Sequence, residues 1–288
     1  MRSCEELAMK RTERSYADLE LGAYLERIGY QGPTNAEVDT LIALHRAHLH
    51  TIPYENLDIH LGRTLSLDER AIFAKLVTGR RGGWCYEMNG LFAWALEQIG
   101  FRVTRLASTV GRQSPETEDG SHLLLLVDLD RRYVADVGFG NGLLEPIPLE
   151  VGSYQQGFLK YRLDCFGDRW HFSSAGQAVP TIDFTLRPRR TSDFAAYCTR
   201  LQTDPDCWFV QTTVCHRRTP EGIASLRGAV LRLITADGTD ERIIGNFDHY
   251  VETLDSLFGL HLPEDEAARL WAKVWERHAS WAAALAAE

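Results

Sequence analysis

At Gly100 the chain changes its hydrophobic period. Before it, apolar residues recur at helical spacing. After it they fall into short strand-like segments parted by Gly, Asp and Asn. Leu21 to Ile28 reads as a short helix. Thr34-Asn35-Ala36-Glu37 resembles a capping box ahead of a stripe of Val38, Leu41, Ile42, Leu44, His45 and Leu49, which Pro53 stops. SLDERAIFAKLVTG forms a third helix, opened near Ser66 or Asp68 and closed by Gly79. A fourth starts near Cys85 and runs to about Gln98, with Gly100 behind it. The segments RVTRLASTV, HLLLLVDL, YVADVGF, FLKYRLDCF and RWHFSS then predict an antiparallel sheet or small barrel over residues 101–200. CWFVQTTVC, AVLRLITA and ERIIG read as further strands, the last two joined by the turn ADGTD, and EDEAARLWAKVWERHASWAAALAA closes the chain as a helix. The expectation is an α+β protein in three subregions, 21–100, 101–200 and 201–288, behind a loosely docked extension of residues 1–20.

Composition narrows the function classes. With 288 residues, 44% apolar and 25% charged, the chain can bury a sizeable core. A net charge of -9 argues against a nucleic-acid partner, because phosphate contacts need clustered Lys and Arg. No run of about 18 apolar residues speaks for a membrane span. The charged N-terminus has no signal-peptide core, so the chain reads as cytoplasmic. The six cysteines (Cys4, Cys85, Cys165, Cys198, Cys207, Cys215) form no CxxC pair, which disfavours disulfide and zinc frameworks. His45 and His48 make an HxxH without a third ligand, and a packed or solvated helix face is expected there rather than a metal. Asp204 and Asp206 read as a turn, and GFGNG at 138–142 is no dinucleotide fingerprint.

One thiol is placed differently from the rest. In RRGGWCYEMNGLF, Cys85 sits between a Gly-Gly loop and a helix start, where unpaired N–H groups and positive dipole favour the thiolate. A cysteine nucleophile needs a base within reach and a third group to orient that base. GSHLLLLVDLDRRYVADVGFG offers both. If its hairpin turns about residue 129, His122 and Asp136 face each other on one side of the sheet. Taken singly, each residue has an ordinary reading: a packing cysteine, a surface histidine, a turn-capping aspartate. The conjunction within one third of the chain points to nucleophilic catalysis.

RGGWCYEMNGLF, IPYENLDIHLGR, SHLLLLV and YVADVGFG together resemble the arylamine N-acetyltransferase family, and the similarity extends from about Tyr24 to Val274, taking in WFVQT and RRTPEGIASLRG. The resemblance implies a cysteine-protease-like fold: an N-terminal helical bundle, a central antiparallel β-barrel and a C-terminal α/β lid. It implies a Cys-His-Asp triad, which maps by motif onto Cys85, His122 and Asp136. It also implies acetyl-CoA as co-substrate, with no permanently bound cofactor or metal, and an arylamine or arylhydrazine acceptor. Tyr54, Trp84, Phe139, Gly140 and Phe209 are expected to line the substrate site, and Glu55 and Arg81 to brace the nucleophile loop as an ion pair. Two rivals share this chemistry: a macrolactam-forming amide synthase and a transglutaminase-like cysteine hydrolase. Oligomeric state is left open.

Overall fold

The computed structural model describes residues 20–114, 117–174 and 181–286. The expected extension, Cys4 included, lies outside them save for residue 20. A first helix α1 occupies residues 20–27. It is followed by α2 (Val38–Thr51), β1 (Tyr54–Glu55), α3 (Leu57–His60), α4 (Glu69–Phe73) and α5 (Cys85–Ile99). The Thr34–Glu37 capping box does not form. Glu37 stands at the N-cap of α2 without a side-chain cap bond, and Asn35 instead accepts from Thr40 Oγ1 at 2.9 Å. Asp68 does cap α4, its Oδ1 accepting from Ala71 N at 2.9 Å. The helix expected to run straight to Gly79 widens into a π-turn over Ala74–Thr78, from which the chain drops into the loop before Cys85. Helix α5 ends where Gly100 takes φ 107°, a left-handed cap that suits glycine.

Eight strands follow: β2 (Arg102–Val110), β3 (His122–Asp128), β4 (Arg132–Ala135), β5 (Ile147–Pro148), β6 (Gly152–Gln156), β7 (Leu159–Phe166), β8 (Arg169–Ser174) and β9 (Ile182–Pro188). They pair antiparallel in the order β5-β4-β3-β2-β9-β8-β7-β6. The two edges curl together. Gln156 on β6 accepts from Leu144 N and Glu145 N at 2.8 and 3.1 Å and donates to Glu145 O, so the sheet is a nearly closed barrel. Strand β3 is apolar almost throughout because both faces are covered. Leu123, Leu125 and Val127 pack toward the helices, while Leu124 and Leu126 fill the barrel.

The chain ends in α6 (Ala195–Thr203), α7 (Trp208–Gln211), β10 (Val214–Arg218), β11 (Gly222–Arg227), β12 (Val230–Thr235), β13 (Gly238–Ile243), α8 (Phe247–Phe258) and α9 (Glu264–Ala286). CWFVQTTVC, expected as one strand, is a helical turn and then a strand. Cys207 O accepts from Val210 N and Gln211 N, which winds the segment before Val214 starts the ladder. The second sheet runs β1-β10-β11-β12-β13. Strand β1 therefore ties the helical region to the C-terminal sheet through Tyr54↔His216 and Glu55↔Cys215. Among the described residues, no helix is long and apolar enough to cross a membrane.

Candidate active site

Two glycines bring the nucleophile loop against β1. Gly83 N donates to Pro53 O and Glu55 N donates to Gly83 O. A Cβ at Gly82 would stand 2.2 Å from Pro53 O, and one at Gly83 2.9 Å from Glu87, so neither position has room for a side chain. The loop is braced from below by buried charge. Arg81 Nη2 reaches Glu55 Oε1 at 2.8 Å and Asp58 Oδ1 at 3.2 Å, and Lys75 Nζ bridges Asp58 and Glu87 at 3.0 and 2.9 Å. Glu55 is fully enclosed and also accepts from Leu57 N at 2.7 Å. The expected Glu55–Arg81 pair is thus part of a larger network that Arg63 extends to the surface through Asp58; Asp58, Lys75 and Glu87 carried no signal in the sequence. Burial pushes Glu87 up to about 7 against the pull of Lys75. Glu87 also accepts from Trp84 N at 3.3 Å, closing the first turn of α5 directly at Cys85.

Across from α5, His122 opens β3 and Asp136 lies one residue past β4. The strands pair Leu125↔Ala135 and Asp128↔Arg132, so the hairpin turns about residue 130 rather than 129. His122 and Asp136 are therefore not directly opposed. They meet diagonally where the ladder ends, His122 Nε2 donating to Asp136 Oδ2 at 2.8 Å. Both are 2% exposed. The other carboxylate oxygen accepts from Asn89 Nδ2 at 2.8 Å and from Gly138 N at 2.9 Å. Asn89 also donates to Leu123 O at 2.7 Å and accepts from Val137 N at 2.9 Å, locking the strand ends to α5.

Burial opposes charge on His122, yet the Asp136 carboxylate and hydrogen bonds to Asp136 and Cys85 carry its pKa up to about 10. With Nε2 committed to Asp136, Nδ1 is the atom left to face the thiol. Burial likewise works against the Asp136 charge, but His122, Asn89 and Gly138 N hold it below the usual carboxylate range. Among the other cysteines, burial pushes Cys198 up to about 12 and Cys215 well above its ordinary value. Neither supplies a thiolate near neutral pH.

A second histidine enters from α2. His45 Nδ1 lies 2.9 Å from Leu144 O, and Asp136 N donates to His45 Nε2 at 3.1 Å. These bonds set the neutral tautomer, with the proton on Nδ1. Burial holds the group down at about 4. The packed reading of the HxxH face is correct for His45 and His48, both wholly buried, but it missed this grip on the Asp136 backbone. Nothing in a lone helical histidine signals a contact 91 residues away. Asn89 was more legible, since it lies one turn after Cys85 on the same face of α5.

The expected wall residues fall into two groups. Phe139 stands edge-on to His122 with ring centroids 5.5 Å apart, and Tyr54 stacks on His216 at 5.9 Å. Gly140, at φ 72°, passes so close that a Cβ would be 2.8 Å from the His216 ring. Burial raises the Tyr54 phenol well above its ordinary value, with Cys85 and Asp136 adding to the effect. Phe209 packs at 5.5 Å on Trp84, which is itself wholly enclosed and T-shaped against Tyr86. Trp84 therefore supports the site from within the core.

Known proteins match both this sequence and this geometry. The N-acetyltransferase family model matches residues 37–267. The arylamine N-acetyltransferase of Mycolicibacterium smegmatis is 36% identical over 90% of this chain and 98% of its own. The solved arylamine N-acetyltransferase of Salmonella typhimurium superposes with a TM-score of 0.82 at 31% identity, over 88% of this chain and 98% of that one. The Mycobacterium marinum arylamine N-acetyltransferase, solved in complex with CoA, gives 0.80 at 31% over the same shares. The chain belongs to the arylamine N-acetyltransferase family, and it is an acyltransferase.

Proposed function

We propose that the protein transfers acetyl from acetyl-CoA to an arylamine or arylhydrazine through an acetyl-cysteine on Cys85. The observation that carries this is the buried His122–Asp136 pair, with Cys85 as the remaining partner of His122 at the first residue of α5. The mechanism starts with the proton held on His122, which faces the Cys85 sulfur. The Cys85 sulfur attacks the thioester carbonyl, and the tetrahedral oxyanion collects donors from the unpaired N–H groups at the start of α5. Its collapse breaks the C–S bond to CoA, whose sulfur takes the His122 proton and leaves as the thiol. The acyl-enzyme now faces a neutral imidazole. The amine nitrogen attacks, His122 takes its proton, and the Cys85–acyl bond breaks to return the His122–Cys85 pair to its starting form. Because one thioester replaces another, the first half-reaction is nearly balanced. An arylamine suits the second, since it is neutral at pH 7 and its ring can lie among Tyr54, Phe139 and Phe209.

The five described cysteines are free, in keeping with a reducing, cytoplasmic setting for a working thiol. The test is intact-protein mass spectrometry after incubation with acetyl-CoA, followed by an arylamine. An acetyl adduct mapped to Cys85 and discharged by the amine supports the proposal. An adduct formed only with a long-chain acyl thioester would make the protein an amide synthase. An adduct discharged by water at the same rate without amine would make it a hydrolase.

A further inference from the structure

Helices α8 and α9 are joined through Gly259, at φ 64°, and share one apolar core, but they differ in length. Helix α8 has 12 residues and α9 has 23. Tyr250, in the first turn of α8, meets Trp271 with ring centroids 5.3 Å apart, so α9 continues past the start of α8. Val274 is the last buried residue of α9 among the described side chains. From Trp275 to residue 284 the helix is exposed, apart from a half-buried His278. At 1.5 Å per residue the overhang beyond Val274 is about 18 Å long.

The overhang carries the apolar face with it. Trp271 stacks on Trp275 at 5.3 Å, Trp275 packs on His278 at 5.5 Å, and His278 packs on Trp281 at 5.8 Å. Among the described residues, the last three rings meet only one another and Trp271. Trp275 and Trp281 are 39% and 57% exposed. Most helical stability comes from packing an apolar face, and this stretch of the face packs on nothing but itself. A contiguous exposed apolar patch marks an association surface, and tryptophan is enriched in such surfaces.

The spacing selects the partner. Trp275 lies three residues before His278 and Trp281 three after, so the row reads alike in both directions. Two copies laid antiparallel about a twofold axis at His278 set each Trp275 against the other copy's Trp281. That is the self-complementary contact a twofold dimer requires. Charge agrees. Glu276 and Arg277 lie off the row by helical spacing, and Arg277 reaches back to Gln211 Oε1 at 3.5 Å, so no like charges meet at the axis. Helix α9 carries Glu264, Asp265, Glu266 and Glu276 against Arg269, Lys273 and Arg277. An anionic lipid surface would call for the opposite balance. The two tryptophans leave roughly 200 Å² bare on each copy. Doubled, this stays below a standard interface, so the dimer is weak, with a Kd on the order of 10 μM.

We propose that the overhanging half of α9 is a self-association surface through which two copies of this chain form a weak antiparallel dimer about His278. Sedimentation velocity of the full chain over about 1–100 μM should show a monomer passing into a dimer. Trp275→Ala/Trp281→Ala should stay monomeric throughout, with a circular dichroism spectrum matching the wild type, because both rings are exposed. Under mild oxidation, His278→Cys should give a dimer linked through position 278, since a residue on the axis faces its own copy. Ser280→Cys, on the opposite face of the helix, should not. A wild type that stays monomeric over the range, a double variant that still dimerises, or a disulfide at 280 as readily as at 278 would overturn the proposal. A monomeric wild type whose tryptophan emission shifts on phosphatidylcholine vesicles would overturn it too, in favour of a lipid occupant.

Discussion

His122 and Asp136 depend on each other for their charge, and the dependence has a pH signature. The His122 pKa is raised from 6.5 to about 10, so its contribution to stability is full below pH 6.5 and is lost as the pH climbs through about 10. Asp136 is lowered from 3.8, so its contribution is present above pH 3.8 and is lost as the pH falls through its folded value. The pair stabilises the fold most in the broad window between. Asp136→Asn removes the charge that outweighs burial, so His122 should titrate below 6.5 and be neutral at pH 7. The expected result is a rate loss of about 10² to 10⁴-fold. Stability should fall by about 3–5 kcal/mol, the cost of breaking a buried pair. Denaturant titration at pH 5, 7 and 9 and NMR of the His122 ring would check it; an unchanged His122 pKa would refute the argument. His45 acts on the same carboxylate through the backbone. His45→Leu strands the Asp136 N–H and Leu144 O, which costs about 1–3 kcal/mol per buried group. His45→Gln keeps a donor and an acceptor. Activity should be lost in the first variant and recovered in part in the second; equal activity in both would leave His45 with no positioning role.

At the scale of elements, the site depends on how closely α5 approaches the barrel. Gly138 follows the Asp136 turn and lies against the start of α5. A Cβ there would meet Asn89 Nδ2 at 2.5 Å and Cys85 Cα and O at 2.8 Å. Gly138→Ala should therefore push the helix start off the strand, costing about 1–3 kcal/mol as overpacking does, and should slow acetylation of Cys85. Gly90, inside α5, meets only Ile72 Cδ1 at 3.5 Å, an ordinary contact. Gly90→Ala should stabilise the protein by about 0.5–1 kcal/mol, because alanine leaves the unfolded chain less freedom and favours helix. Paired thermal melts would decide both, and a fall in Tm for Gly90→Ala would contradict the packing described. These elements also separate what was readable from what was not. Helix α5 and strand β3 announced themselves by period, by the Gly-Gly loop and by Gly100. The diagonal meeting of His122 with Asp136 did not, since one residue of turn length moves the register and only the built hairpin fixes it. The helical turn at Trp208–Gln211 was hidden for another reason. Its aromatic and β-branched residues favour strand locally, and packing of Phe209 on Trp84 overrides that preference.

At the scale of the molecule, the residues of the proposed triad straddle a seam: Cys85 opens α5, His122 opens β3 and Asp136 follows β4, while β1, bridged to the nucleophile loop, pairs with the C-terminal sheet. The order of helices then strands made this division legible, and the long motifs pointed to Cys85, His122 and Asp136, of which the structure pairs His122 with Asp136. The buried charges under the loop were not, because Asp58, Lys75 and Glu87 look like any solvated residues until α4 and α5 close over them. Under the mechanism proposed above, one seam would serve both half-reactions, and the acyl donor would leave before the acceptor reached the acetyl carbon. The kinetic consequence is specific. Initial rates at several fixed acetyl-CoA concentrations should give parallel double-reciprocal lines against amine. The second half-reaction should follow the lone pair and the ring: arylhydrazines and electron-rich anilines fast, nitroanilines slow. Simple alkylamines should be poor, being protonated at pH 7 and having no ring to lie against Tyr54, Phe139 and Phe209. Changing the donor from acetyl-CoA to p-nitrophenyl acetate should leave the ranking of amines unchanged, because both donors yield the same acyl-enzyme. Intersecting lines, or a ranking that depends on the donor, would mean that both substrates occupy the seam together, and acetyl-Cys85 would then have to be given up as the common intermediate.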